Sequence, residues 1–322
     1  MTGQLIGHDQ AWRVWRAAMA GDRMHHGWIF AGREGLGKAG FARAAAAELV
    51  AESGVPQPPV DAHPDILALF PLPANEDEAK KRDEGKPYQL KRSISVDQIR
   101  ALQRRLTTRP TLGNRRAVII DSADLLEKSA VNALLKSLEE PPVGTFFLLV
   151  VHALGRLLPT VRSRCTVVRF HTLSTAEVAR ALDAAAPGLD AETRGAALAV
   201  AGGSPGAALA FAEQDLGKAQ ALFARIVEQG DPDLSLRGAL AGALGARPDR
   251  EHIAAAIEAA RMTVVGALDQ ADDHARVKLV EAHARLVTLA GEAPIYNFDP
   301  AMLTMEIGSL LASAAPTRER QR

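Results

Sequence analysis

The stretch Ala31–Gly40, AGREGLGKAG, has the residues of a phosphate-holding loop with one of them missing. Gly32, Gly37 and Lys38 meet the spacing Gly-x-x-x-x-Gly-Lys, and Gly35 is a further glycine inside it. In such a loop, backbone N–H groups and a helix N-terminus hold phosphate oxygens while the lysine neutralises charge on the outer phosphates. The next position normally offers a Ser or Thr hydroxyl to Mg²⁺, which absorbs charge developing during phosphoryl transfer. Here it is Ala39, which has no oxygen. A second group of interest is Asp121, a carboxylate ending the apolar run RRAVIID; Ser122 follows it. A third is Arg164 in LLPTVRSRC, a planar, permanent cation suited to phosphate oxygens.

These residues need a scaffold, and the chain spells one. HDQAWRVWRAAMAG reads as a helix, HGWIFAG as a short buried strand, and KAGFARAAAAELVAES as a helix starting where the glycine loop ends. Strand, loop and helix in that order are the context a phosphate loop requires. Residues 54–92 then turn proline-rich and charge-rich, a long surface insertion enclosing one strand at Asp65–Phe70. SVDQIRALQRRLTTRP restores helical spacing, with Ser95 or Asp97 available as a cap. RRAVIID is a buried strand, SAVNALLKSLEE a helix stopped by Pro141 and Pro142, and TFFLLVV and TVVRF further apolar strands. Apolar strands separated by helices imply an α/β fold with a parallel sheet covered on both faces. After Phe170 only helical patterns remain: three short ones with GGSPG between the second and third, then longer amphipathic ones from Leu216.

At 322 residues the chain exceeds what one core usually supports. Its hydrophobic content of 47% rests on Ala, Leu and Val rather than on the 4% aromatics, which suits closely packed helices. Lys+Arg and Asp+Glu both number 38, so the chain has no basic excess with which to hold a polyanion or an anionic membrane by bulk charge. The single cysteine, Cys165, allows no internal disulfide or Cys-rich zinc site and is read as a packing residue. No apolar run approaches the roughly 18 residues of a membrane span, so a cytoplasmic location without membrane contact is expected.

The run IDSADLLEKSAVNALLKSLEEPPVGTFFLLVV followed by LLPTVRSRC resembles the clamp-loader branch of the AAA+ family. HPD at His63–Asp65, the VDQIR helix and GSPGAAL at Gly203–Leu209 belong to the same resemblance, which covers nearly the whole chain. It implies an AAA+ P-loop core at 1–170, a small helical lid at 171–214, a C-terminal all-α collar at 215–315 and a disordered tail at 316–322. It also implies a place in a pentameric ring with motor ATPase subunits and a delta subunit, reaching the sliding clamp indirectly and primed DNA within the complex.

Against the family pattern three features are lost. Ala39 replaces the metal-binding hydroxyl, Ser122 stands where a water-polarising Glu is usual, and Pro205 and Gly206 occupy the neighbourhood of a sensor arginine. Together these make turnover by this chain negligible. Gly32, Gly35, Gly37, Lys38 and Asp121 then form a degenerate nucleotide site, with two readings open: weak ATP or ADP binding without hydrolysis, or Lys38 simply capping the loop. No cofactor is required. The family's SRC arginine projects toward ATP in the neighbouring subunit, so the resemblance implies that Arg164 acts as an arginine finger in trans, with Arg162 a solvated neighbour. The chain then serves as a stator for loading the clamp.

Related proteins often carry four cysteines as a zinc module before HPD; Val50–Ala62 has none, so no zinc is expected. His25 and His26 lack a convergent third ligand and are read as structural. The resemblance turns the N-terminal part of the helix bearing Lys136, Glu139 and Glu140 toward a DNA chamber, but a solvated face explains these charges equally well, and they are not taken as sites. Two rival functions stay open: an active ATPase of the same fold, with Ala39 and Ser122 as tolerated variants, and a stand-alone DNA-binding AAA+ module.

Overall fold

The apolar runs pair as one parallel sheet in the computed structural model, which describes residues 5–21, 23–245, 248–293, 296 and 298–316. The strands are β1 (Gly27–Ala31), β2 (Ile66–Leu69), β3 (Arg116–Asp121), β4 (Thr145–Val151) and β5 (Thr166–Arg169), in the order β2-β3-β4-β1-β5. All four pairings are parallel. Strand side chains alternate between faces, and here both faces are apolar. Trp28 and Phe30 of β1 pack with Trp15 of α1 (Asp9–Ala20) and Phe41 of α2 (Lys38–Val50). On the other face, Ile29 joins Ile99 and Leu134, whose helices appear below. This double cover explains why the strands read as continuous apolar runs.

Residues 54–92 hold the clearest departure from the sequence reading, which placed only a strand there. Besides β2 they form α3 (Glu76–Asp83). Its stability is local rather than apolar, so hydrophobic periodicity gave no sign of it. The Asn75 side chain caps Glu78 N–H at 2.9 Å, acids fill the first turn and bases the last, matching the helix dipole. The Glu78 carboxylate also accepts from Gln89 N–H at 2.6 Å, tying the helix to the returning chain.

The HPD triplet has a structural role. His63 Nδ1 accepts from Asp65 N–H at 3.0 Å, which leaves Nε2–H to donate to Gln57 Oε1 at 2.8 Å. The buried Asp65 carboxylate accepts from Thr111 N–H and Leu112 N–H at 2.7 and 2.8 Å and faces Arg116 at 3.7 Å. Arg116 in turn donates to the carbonyls of Arg105, Thr108 and Arg109. This cluster closes the chain between α4 (Val96–Leu106), started by a Ser95–Gln98 capping box, and β3. α5 (Lys128–Glu139) and the one-turn α6 (Pro159–Arg162) complete the first of two compact units, Met1–Thr172.

The second unit, Leu173–Arg322, is helical throughout its described residues. It contains α7 (Thr175–Ala185), α8 (Ala191–Val200), α9 (Pro205–Glu213), α10 (Gly217–Gln229), α11 (Ser235–Leu244), α12 (Arg250–Ala267), α13 (Asp273–Glu292) and α14 (Pro300–Ser313). The segments read from sequence as lid and collar share one apolar cluster, which includes Phe211, Phe223, Leu240, Ile257, Leu286 and Ile307. Beneath α14, Arg237 pairs with the buried Asp231 at 2.9 Å and donates to Ser309. A Cβ on Gly308 would meet Arg237 Cγ at 2.6 Å, so glycine is what lets α14 lie this close. Of the expected tail, residues 317–322 lie outside the described residues.

Asp65→Ala would leave Arg116 without its counter-charge and two loop amides without an acceptor. The expected loss is about 3–5 kcal/mol, read as a fall in the denaturant midpoint of the first unit. Arg16→Ala, at the exposed Arg16–Glu48 pair, should leave that midpoint nearly unchanged.

Candidate functional site

The glycine loop leaves the carboxyl end of β1, where ligands bind in open parallel sheets. Each of its glycines is required by geometry. A Cβ at Gly32 would lie 2.5 Å from the Phe170 carbonyl oxygen, and Gly35 and Gly37 have φ of +77° and +80°. Gly37 is the residue that starts α2. The strand, loop and helix follow in the order read from the sequence, and the loop ends at the N-terminus of α2.

Lys38 is used internally. It is only 2% exposed, and its Nζ donates to the Arg33 carbonyl at 2.6 Å, bracing the loop. Burial pushes its pKa down to about 8, partly offset by the fields of Glu34, Asp124 and Asp121. The N-terminal segment lies against the same loop. Leu5 Cδ1 is 3.2 and 3.3 Å from where Cβ atoms on Gly37 and Gly40 would stand, and His8 Nε2 bonds the Leu36 carbonyl at 2.7 Å.

Asp121 ends β3 opposite Val150 of β4, while Ala31 of β1 lies opposite Val151, so the carboxylate and the loop share one edge of the sheet with β4 between them. Ser122 is buried, with its Oγ 2.7 Å from His152 Nε2 and 3.3 Å from Asp121 Oδ1. A serine hydroxyl held between these partners is no base for water at neutral pH. Two groups the sequence reading missed belong here. Asp124 accepts from His152 N–H and Ala153 N–H, both at 3.1 Å, joining the exits of β3 and β4. His152 itself is held neutral, burial and then the Lys38 charge both lowering its pKa. A signal was available: His152 is the first polar residue after TFFLLVV, just past the end of the strand that neighbours β3. The third expected departure, Pro205–Gly206, opens α9 in the second unit, where the Ser204 side chain caps Ala207 N–H.

Arg164 stands elsewhere. It follows α6 and precedes β5, whose Thr166 pairs with Trp28 near the start of β1. The glycine loop leaves the other end of that strand, five residues on, roughly 16 Å away at about 3.3 Å per residue. Its guanidinium is partly exposed. Nη1 donates to the Thr160 carbonyl at 3.0 Å and Ser163 Oγ at 3.3 Å, and Nη2 pairs with Glu139 at 2.8 Å. Arg162 is exposed beside it. Cys165 packs beneath, its thiol pushed up to about 12 by burial. His25 and His26 stack at 4.6 Å, and His26 Nε2 donates to the Leu138 carbonyl at 2.8 Å, a structural tie between the start of β1 and the end of α5.

The depressed pKa of Lys38 has a measurable sign. Between about pH 8 and 10.5 the unfolded chain holds a proton on this amine that the folded chain has released, so this group makes stability rise with pH across that window. In denaturant midpoints measured against pH, Lys38→Met should remove that component of the rise.

The sequence model described as "DNA polymerase III, delta subunit" matches residues 7–174, more than half of the chain. The chain is 33% identical over 191 residues to DNA polymerase III subunit delta' of Pseudomonas aeruginosa, covering 56% of this chain and 53% of that one. It is 38% identical over 140 residues to the Escherichia coli subunit delta', covering 40% and 38% respectively. A more distant match, 26% over 184 residues, is to DNA polymerase III subunit tau of Salmonella typhimurium, covering 56% of this chain and 27% of that one. The matches thus span about half of these relatives' length or less. The chain belongs to the DNA polymerase III delta-subunit family, as a delta-prime-like clamp-loader subunit.

Proposed function

We propose that this chain is a stator subunit of a DNA polymerase III clamp loader, with little or no ATPase of its own, which lends Arg164 to ATP bound by the adjacent motor subunit. The observation that carries this reading is the separation of the two chemical groups along β1. A guanidinium at the opposite edge of the sheet from its own phosphate loop is out of reach of any phosphate held there, so phosphate contact by Arg164 requires a second protein. The loop supports the other half. Lys38 is committed to the Arg33 carbonyl, Ala39 offers no metal ligand, and the Ser122 hydroxyl is tied to His152 and Asp121. Reading Lys38 as a brace fits better than reading it as a phosphate ligand. Nucleotide, if held at all, is held weakly and unhydrolysed.

In this role the chain sits in a pentameric ring with motor subunits and delta. It works on the sliding clamp indirectly and shares primed DNA with the rest of the ring. A surface with no net charge suits a subunit whose faces meet mostly protein.

The purified chain should release no phosphate from ATP, with or without DNA, yet should restore ATPase and clamp loading when added to the other loader subunits. Steady phosphate release by the chain alone would favour a motor, and salt-sensitive DNA binding without partners would favour a stand-alone module. Arg164→Ala should leave assembly on gel filtration intact while turnover at the adjacent site falls by about 10³-fold, the lower end for arginine fingers; unchanged turnover in that complex sinks the assignment. Ala39→Thr should create no ATPase, because Ser122 still cannot activate water.

A further inference from the structure

The sequence reading set Glu139 aside as one charge on a solvated helix face. Its contacts give it a narrower role. The Glu139 carboxylate is 2.8 Å from Arg164 Nη2, and it is the only carboxylate paired with that guanidinium among the described residues. The other two acceptors, the Thr160 carbonyl and Ser163 Oγ, lie within four residues of Arg164 and bond Nη1. Glu139 alone reaches it from a different element, α5, and so fixes its direction relative to the sheet rather than relative to α6.

Both sides of this contact are anchored from below. On the glutamate side, His26 donates to the carbonyl of Leu138, the preceding residue, and Leu138 is itself buried. Pro141 and Pro142 end the helix two residues later, and the Pro142 carbonyl accepts from Thr145 N–H at 2.9 Å as β4 begins. On the arginine side, a Cβ at Gly27 would stand 2.9 Å from both the Arg164 carbonyl oxygen and Cys165 Sγ, so the backbone carrying Arg164 lies hard against β1. Val161 and Leu138 share one apolar cluster beneath the pair. The ends of α5 and α6 thus share an apolar cluster and, among the described residues, are joined by the Glu139–Arg164 ion pair. The guanidinium remains 37% exposed. A long side chain in water loses considerable rotamer entropy when it is fixed, and an arginine meant for a phosphate on another protein is more effective when already aimed.

We infer that Glu139 is a positioning residue for Arg164, holding the guanidinium in one direction before the neighbouring phosphate arrives. This rests on the arginine-finger reading above and adds to it the group that orients the finger. The pair is exposed enough to be weak, so it orients Arg164 without withholding it.

The test uses the full chain, alone and in the reconstituted loader. In the isolated chain, arginine-selective modification by phenylglyoxal, quantified at Arg164 by mass spectrometry, should proceed several times faster in Glu139→Ala than in wild type. In the complex, Glu139→Ala should lower kcat for ATP by up to about fivefold, the range open to an exposed ion pair, with KM for ATP unchanged. Glu139→Gln, which keeps an acceptor oxygen, should lose less. The double variant Glu139→Ala, Arg164→Ala should turn over no more slowly than Arg164→Ala alone, because Glu139 acts only through that arginine. A wild-type kcat in Glu139→Ala, where Arg164→Ala is impaired, overturns the inference and leaves the finger standing. Additive losses in the double variant also overturn it, since they assign Glu139 an independent structural effect. An Arg164→Ala complex with unaltered kcat instead overturns the finger reading, and the catalytic consequence drawn for Glu139 falls with it.

Discussion

The contact on which the rest depends is the seam between β1 and β5. Two glycines make it possible. At the start of β1, Gly27 lets the strand pass within 2.9 Å, at its would-be Cβ, of the Arg164 carbonyl and the Cys165 sulfur. At its exit, Gly32 lets it pass within 2.5 Å of the Phe170 carbonyl. Any larger residue at either position would push β5 away from the sheet, and with it either Arg164 or the wall of the phosphate loop. The loop thereby leaves one end of this five-residue strand while the backbone of Arg164 packs against the other, and the strand's length is what separates them.

That separation gives the chemistry its logic. In a phosphoryl-transfer enzyme acting alone, the cation that stabilises transferring oxygens and the loop that holds them must converge. Here they diverge, and each is engaged within the chain: Lys38 by the Arg33 carbonyl, Arg164 by Glu139. The residues on the loop side form a closed set, with Asp124 bridging the β3 and β4 exits and Ser122 hydrogen-bonded to His152. Such a network stiffens the carboxyl edge of the sheet without leaving a group poised to activate water.

Much of this was legible in the residues themselves. The strands announced themselves because a parallel sheet buried on both faces leaves no polar alternation. One helix start was visible as a side-chain cap: of Ser95 and Asp97, the two residues available, Ser95 opens α4. The glycine loop could be located by spacing, since Gly35 and Gly37 occupy backbone conformations that other residues avoid. α3 escaped because its stability comes from Asn75, from charges matched to the helix dipole and from Glu78, none of which produces an apolar period.

By itself, then, the sequence determined the strands, most of the helices, where the glycine loop lies and that positions 39 and 122 carry Ala and Ser, because those follow from local propensity, periodicity and residue type. Only the tertiary structure decided what the surviving charges do. That Lys38 turns inward to Arg33, that His152 meets Ser122 across two strands, and that Glu139 of α5 holds Arg164 beyond α6 are consequences of strand order and helix packing. These pairings join residues 5 to 30 positions apart, and no local rule predicts them. The direction of a long side chain is set by whichever acceptor the fold brings within 3 Å.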